Sequence, residues 1–257
     1  MAINFIRCKW TLSYQFLECL LVILCCCKRG VTNAIKKGGK VNYFHRPEDQ
    51  KTCLHVAAEA GYLEVCQILI ENGALVDAVA ITNKETALGL AASYGHERVV
   101  KLLLDHKSNI NWQNAYGNSP LHEAARHGYL AVATMLMERG ANIELLNNKG
   151  SHALHLSCYG ADKNECPSEL TKILIKAGSD VNLADKRGVT PLLAACAAGR
   201  EDLITMLLDS GANGKIVDGT GMDGLATAIF HKRKISKKLH KLISKDEREV
   251  PDSVFGV

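Results

Sequence analysis

The chain has 257 residues, with 31 Lys and Arg against 27 Asp and Glu, a net charge of +4 that is too small to demand a polyanionic partner. Hydrophobic residues make up 47% and aromatics only 5%, which suits Ala- and Leu-rich helix packing better than one large aromatic core. Ten cysteines raise the possibility of a secreted disulfide scaffold, but no paired framework is visible, and a reducing compartment, cytoplasmic or nuclear, is expected.

Residues 1–29 form a hydrophobic, Cys-rich N-terminal segment. Its apolar run, 19–27, is short against the roughly 20 residues that span a bilayer. Three readings stay open. Leu20–Cys27 can be the inner helix of a variant first repeat, stopped at Gly30 and followed by a short outer helix over Val31–Lys37. Alternatively Cys25, Cys26 and Cys27, beside Lys28 and Arg29, are a palmitoylation site that tethers the chain to a membrane. The third reading is a cleaved signal peptide. Residues 30–46 read as a degenerate first repeat.

From residue 47 to 216 one block recurs. Its copies begin at Thr52, Thr86, Ser119, His152 and Thr190, with spacings of 34, 33, 33 and 38. A period near 33 marks a solenoid, whose units bury their apolar faces only on their neighbours. The Thr or Ser opening most copies caps a helix, and Pro120 and Pro191 suit a first helical turn. Gly61, Gly95, Gly128 and Gly199 close that helix where positive φ is needed. A second amphipathic stretch follows, such as 65–70 or 99–104, and ends in Gly-Ala or a variant before a short turn segment. Cys53, Cys66, Cys158 and Cys196 fall at small or apolar repeat positions and are expected to pack as small hydrophobes. Residues 217–245 continue as a degenerate, basic capping repeat, and 246–257 as a flexible tail.

These patterns, Ser119-Pro120-Leu121-His122 with Ala124-Ala125 and Gly128 being the fullest, resemble the ankyrin-repeat family. The resemblance implies an all-α repeat solenoid: stacked ankyrin helix-turn-helix units with projecting β-hairpin loops. Gly89 and Leu193 depart from it, standing where the family has a hydrogen-bonding His, and the fourth copy carries five extra residues between its helices.

Other motifs are weaker. Gly219–Gly224 satisfies G-x-G-x-x-G, yet the same residues fall where a repeat turn belongs, so no cofactor is expected. His152, His155 and Cys158 are zinc-ligand types at helical spacing, but each also fills a structural repeat position; no metal is expected. No catalytic arrangement stands out, and the chain is not expected to be an enzyme.

In ankyrin repeats partners are gripped by hairpin tips and the exposed side of the inner helix. Carried over by position, this gives Glu48, Asp49 and Glu59 in the first full repeat, and Asn83, Glu85 and Tyr94 in the second. Trp112, Tyr116, Asn118, Arg126 and His127 follow in the third, Lys149 in the fourth, and Lys186 and Arg187 in the fifth. This set runs from acidic to basic along the array, with Tyr94, Tyr116 and Arg126, residue types common at hot spots, near its middle. Asn182 lies in a pattern similar to the ankyrin sites modified by an asparaginyl hydroxylase. The expected function is a non-catalytic adaptor that binds a protein partner, with no small-molecule substrate and with nucleic acid disfavoured. The alternative is a membrane-tethered anchor held by residues 1–29.

Overall fold

The computed structural model describes residues 28–36, 38–42, 51–159 and 167–231. Among the described residues, helix α1 (Lys28–Lys36) is followed by five helix pairs and one further helix. The pairs are α2 (Cys53–Glu59) with α3 (Leu63–Glu71), α4 (Ala87–Ser93) with α5 (Glu97–Asp105), and α6 (Pro120–His127) with α7 (Leu130–Glu138). Then come α8 (Ala153–Tyr159) with α9 (Pro167–Lys176), α10 (Pro191–Ala198) with α11 (Glu201–Asp209), and finally α12 (Gly224–Phe230). The even-numbered helices stack as an inner row and the odd-numbered ones as an outer row.

The inner helices begin where the sequence places their caps. Thr86, Ser119 and Thr190 each accept a hydrogen bond from the amide three residues on, and Asp223 does the same for α12. In three repeats a His locks the cap to the next unit. Thr52 Oγ1 lies 2.8 Å from His55 Nδ1, and His55 Nε2 reaches the Glu85 carbonyl at 3.1 Å. The His122 ring repeats this between Ser119 and the Ser151 carbonyl. Because Nδ1 accepts from the cap, Nε2 carries the hydrogen and donates across the repeat boundary. The array is therefore tied along its length by polar bonds as well as by packing.

The core follows the same period. Leu54, Leu88, Leu121, Leu154 and Leu192 are fully buried on the inner helices; Leu69, Leu103, Leu136, Leu174 and Leu207 match them on the outer row. The Ala pairs 57–58, 91–92 and 124–125 let inner helices approach closely. Where Ser157 and Cys158 replace such a pair, Ser157 Oγ donates to the Leu154 carbonyl and meets Thr171 Oγ1 at 3.0 Å, so the substitution buries no orphan hydroxyl. The four described cysteines are buried, and burial pushes the thiols of Cys66, Cys158 and Cys196 up to about 12.

Two turn glycines are fixed by their neighbours. Gly61 and Gly95 have φ of 74° and 73°, and a Cβ there would run into the rings of His96 and Tyr129 from the next repeat. Outside the repeat core, α1 packs on α3 and continues the outer row. Gly30 lies inside α1 rather than ahead of it as a stop. Residues 1–27, with Cys25, Cys26 and Cys27, residues 160–166, and the chain after 231 lie outside the described residues. Among the described residues no helix is long and apolar enough to cross a membrane.

Candidate functional site

The connecting segments between repeats project as a row of tips, and their shape comes from one Asx residue each. Asn114, Asn147, Asp185 and Asp218 accept, through a single side-chain oxygen, the amides two and four residues ahead. This is the turn chemistry that favours Asn and Asp there. The tips are joined by backbone bonds: Ala115 N–H donates to the Asn83 carbonyl, Asn148 to Tyr116, Lys186 to Lys149 and Gly219 to Arg187, at 2.7–3.0 Å. The tips are turns rather than paired strands, since their amides are spent on the Asx oxygen and on the neighbouring tip. The result is an edge whose tips are bonded one to the next, set beside the inner helices with a groove between them.

Along this edge the residues expected to bind a partner divide. Tyr116 is 67% exposed at its tip, and Tyr94, at the end of α4, is 50% exposed. Arg126, His127, Lys149, Lys186 and Arg187 are exposed as well. Trp112 is half-buried, its Nε1 donating to the Lys84 carbonyl at 2.8 Å, and Asn83 is half-buried with its Oδ1 accepting from the Glu85 amide. Glu59 joins Lys51 at 2.7 Å and accepts from the Tyr94 hydroxyl at 3.2 Å. That carboxylate's charge raises the Tyr94 phenol above its ordinary range. Glu48 and Asp49 lie outside the described residues.

Glu85 and Asn118 are placed differently from the expectation, because both are buried and hydrogen-bonded within the array. Glu85 folds over Gly89, where an added Cβ would collide with the Glu85 carboxylate. The carboxylate thus fills space that the missing repeat His would have taken. Asn114 Nδ2 donates to Glu85 at 2.8 Å and to Glu123 at 3.3 Å; Asn118 Nδ2 donates to Glu123 at 2.8 Å, and Asn147 Nδ2 to Asn118 at 3.0 Å. One amide therefore bridges two buried carboxylates in a chain of polar bonds that crosses three repeats. Burial pushes the Glu85 carboxyl up to about 7, with the charge of Glu123 adding to the rise and the Asn114 bond opposing it. The loss of Glu85 from the surface leaves Glu59 as the described acidic member of the expected set, and it is already paired. Among the described residues the acidic end of the expected set is thus Glu59 alone, while the aromatic middle and the basic later tips are exposed.

The other sequence motifs resolve into structure. His152 and His155 pair through their Nδ1 atoms at 2.9 Å and bond the Asp180 and Val189 carbonyls through Nε2. Among the described residues no group of three or more His, Cys, Asp or Glu is arranged to hold a metal ion. Gly219–Gly224 forms the last tip and the start of α12. Asn182 is exposed and bridges neighbouring segments, donating to the Gly211 carbonyl and accepting from the Asn213 amide. What the repeat pattern did not single out is a set of exposed apolar side chains at the tips, Ile81, Leu146 and Val217, and a cavity beside Leu193.

The family model described as Ankyrin repeats (3 copies) matches residues 75–147 and 139–218, and the Ankyrin repeat model matches 49–81. The chain belongs to the ankyrin-repeat family, whose repeats are generally protein–protein interaction modules and typically not enzymes. Among curated relatives, it is similar to the ankyrin repeat and KH domain-containing protein mask of Drosophila melanogaster, 41% identical over 83 residues, covering 32% of this chain and 2% of that protein. The ankyrin repeat and KH domain-containing protein CBG24701 of Caenorhabditis briggsae is 31% identical over 168 residues, 65% of this chain and 5% of that one. The putative ankyrin repeat protein FPV031 of Fowlpox virus is 26% identical over 212 residues, 81% of this chain and 51% of that protein. The chain thus spans about half or much less of the length of these relatives.

Proposed function

We propose that the chain is a non-catalytic adaptor that grips a protein partner along the tips and the adjoining groove, and that it works in the cytoplasm or nucleus. The observation that carries this is the exposure of Tyr116 on an edge whose backbone is already fixed tip to tip, together with that of Tyr94 at the end of α4. Large amphipathic rings on a preorganised surface lose little freedom on binding, which is why such residues dominate protein interfaces. Arg126 in the last turn of α6 adds a cation beside this stretch of the array. The exposed Lys149, Lys186 and Arg187 favour acidic residues in the part of the partner that lies over the later tips. Affinity capture from cells, with the intact chain and with a Tyr94/Tyr116/Arg126→Ala variant of equal helicity, tests the reading. Partners lost only by the variant support it; an unchanged set of partners refutes the groove as the binding face.

A further inference from the structure

Thr52, Thr86, Ser119 and Thr190 hold the capping position before α2, α4, α6 and α10, whereas His152 holds it before α8. In the first and third of these repeats the hydroxyl stands 2.8 Å from the His ring three residues on and supplies the hydrogen that Nδ1 accepts. In the fourth a second imidazole takes the hydroxyl's place, and the Nδ1 atoms of His152 and His155 lie 2.9 Å apart. Both side chains are buried.

The hydrogens of this pair can be counted. His152 Nε2 faces the Asp180 carbonyl at 3.0 Å, and His155 Nε2 faces the Val189 carbonyl at 3.1 Å. A carbonyl only accepts, so each Nε2 carries a hydrogen, and in a neutral ring Nδ1 is then bare. Two bare nitrogens at 2.9 Å repel unless a hydrogen lies between them. Three contacts call for three hydrogens, and two neutral imidazoles bring two. Turning either ring over puts carbon at both of its contacts and loses bonds instead of repairing the count. A metal does not bridge the rings either. Two nitrogens on a tetrahedral zinc, each at about 2.0–2.1 Å, stand roughly 3.3 Å apart, and among the described residues no group of three or more ligand types is arranged to hold one.

The surroundings favour one added proton and resist a second. Asp185, a buried carboxylate in the next tip, attracts positive charge on His155, and its neighbour Arg187 is bonded to it. Burial holds His155 down to about 4, with the charge of His152 adding to the fall; the same two causes hold His122 on α6 down to about 4. Asp180 accepts from the Asn182 amide, and Glu123 on α6 from the Asn114 and Asn118 side chains. On α9 Glu169 pairs with Lys172. The thiols of Cys158 on α8 and Cys196 on α10, pushed up to about 12, stay neutral. One cation shared by two rings makes every bond of the pair charge-assisted.

We propose that His152 and His155 hold one proton between them, as a buried imidazole–imidazolium pair that locks the junction of the fourth and fifth repeats and loosens it when the proton leaves for solvent. His155 reaches the Val189 carbonyl just before α10, and His152 the Asp180 carbonyl in the segment leading to it. Without the proton two lone pairs face each other, so one ring moves away or gives up its carbonyl. The tips carrying Lys149 and Lys186 are joined across the same boundary, the Lys186 amide donating to the Lys149 carbonyl at 2.9 Å. The basic end of the tip row is thereby made sensitive to pH from inside the core.

The test compares the full chain with His152→Thr, which restores the hydroxyl of the other caps and lets His155 accept from a neutral donor, so that the fold is kept. Urea unfolding is followed between about pH 5.5 and 9. The unfolded chain binds the proton with the ordinary His pKa of 6.5, so a folded pair that retains it above that value loses stability as pH rises. The unfolding constant of the parent chain divided by that of the variant should be level below about pH 6 and climb up to tenfold per pH unit above 6.5 until the pair releases its proton. A ratio that changes only below 6.5 and is level above it means two neutral rings and overturns the assignment. Nitrogen-15 spectra of the imidazoles at pH 7 give a second readout, with the signals lost in His152→Thr locating the pair. One unprotonated nitrogen among the four, averaged over the two Nδ1 atoms, supports the shared proton; two such nitrogens refute it. Protection of the Lys186 amide against hydrogen exchange, corrected for the intrinsic rate, should fall from pH 6.5 to pH 9 in the parent chain and hold in the variant. Equal protection in both would refute the loosening of the junction.

Discussion

Replacing Glu85 by Gln should stabilise the protein at pH 8 and do little at pH 5. Glu85 is 8% exposed, and its carboxylate shares the Asn114 amide with Glu123, while Lys51 contributes an opposing charge. Burial raises its pKa from 4.5 to about 7. The sign follows from linkage. Between those values the folded state holds a proton that the unfolded chain has released, so stability falls as pH rises from 4.5 and the loss is complete above 7. At 1.36 kcal/mol per tenfold change in proton affinity, the full effect is about 3 kcal/mol. The amide introduced by Glu85→Gln is neutral at every pH and keeps the oxygen that accepts from Asn114. Urea unfolding of both proteins, followed by circular dichroism at pH 5 and pH 8, reads the difference directly. The variant should gain roughly 2–3 kcal/mol at pH 8 and less than about 1 kcal/mol at pH 5. A variant that is no more stable at pH 8, or whose gain is the same at both pH values, refutes the account of a carboxylate held against its charge.

Three further outcomes follow from other parts of the array. His122→Ala removes the bond to the Ser151 carbonyl and the contact with Ser119 and should cost about 1–3 kcal/mol at pH 7 in the same unfolding assay. Burial lowers the His122 pKa from 6.5 to about 4, so this residue's contribution is present above 6.5 and is lost as pH falls towards 4; the variant should lack that part of the acid sensitivity. Gly95→Ala forces a side chain into φ of 73° and against the Tyr129 ring, and should lower stability by more than about 1 kcal/mol. Cys53, Cys66, Cys158 and Cys196 should resist iodoacetamide at pH 7.5 in the folded protein and react in urea, as peptide mass spectrometry would show; rapid native labelling at any of the four contradicts its burial.

The repeat architecture is legible in the sequence because its determinants are local. A cap, a buried Leu, an Ala pair and a positive-φ glycine recur at fixed spacing, and each acts within a few residues of itself. Thr86, Ser119 and Thr190 cap as their position implies, and Gly128 and Gly199 take the left-handed conformation at the ends of α6 and α10. The surface is less legible because exposure depends on contacts between repeats. Glu85 and Asn118 occupy positions that face solvent in a generic repeat, yet Gly89 opens a space that draws Glu85 inward, and Asn118 is captured by Glu123 and Asn147. Gly89 was visible as a departure, but which side chain would fill the gap was a three-dimensional matter. The cavity beside Leu193 has the same origin: the missing His marked the place, while its far wall comes from Met222 and Thr227 in the following unit.

Site-directed photo-crosslinking in cells addresses the binding face most directly. A benzophenone side chain placed at Tyr116, on the exposed tip, is compared with one at Lys101, exposed on the outer helix α5. The account predicts discrete crosslinked proteins from position 116 and none of the same species from position 101. The same partners trapped from position 101, with position 116 silent, would place recognition on the outer helices and contradict the reading of the tips and groove as the functional surface.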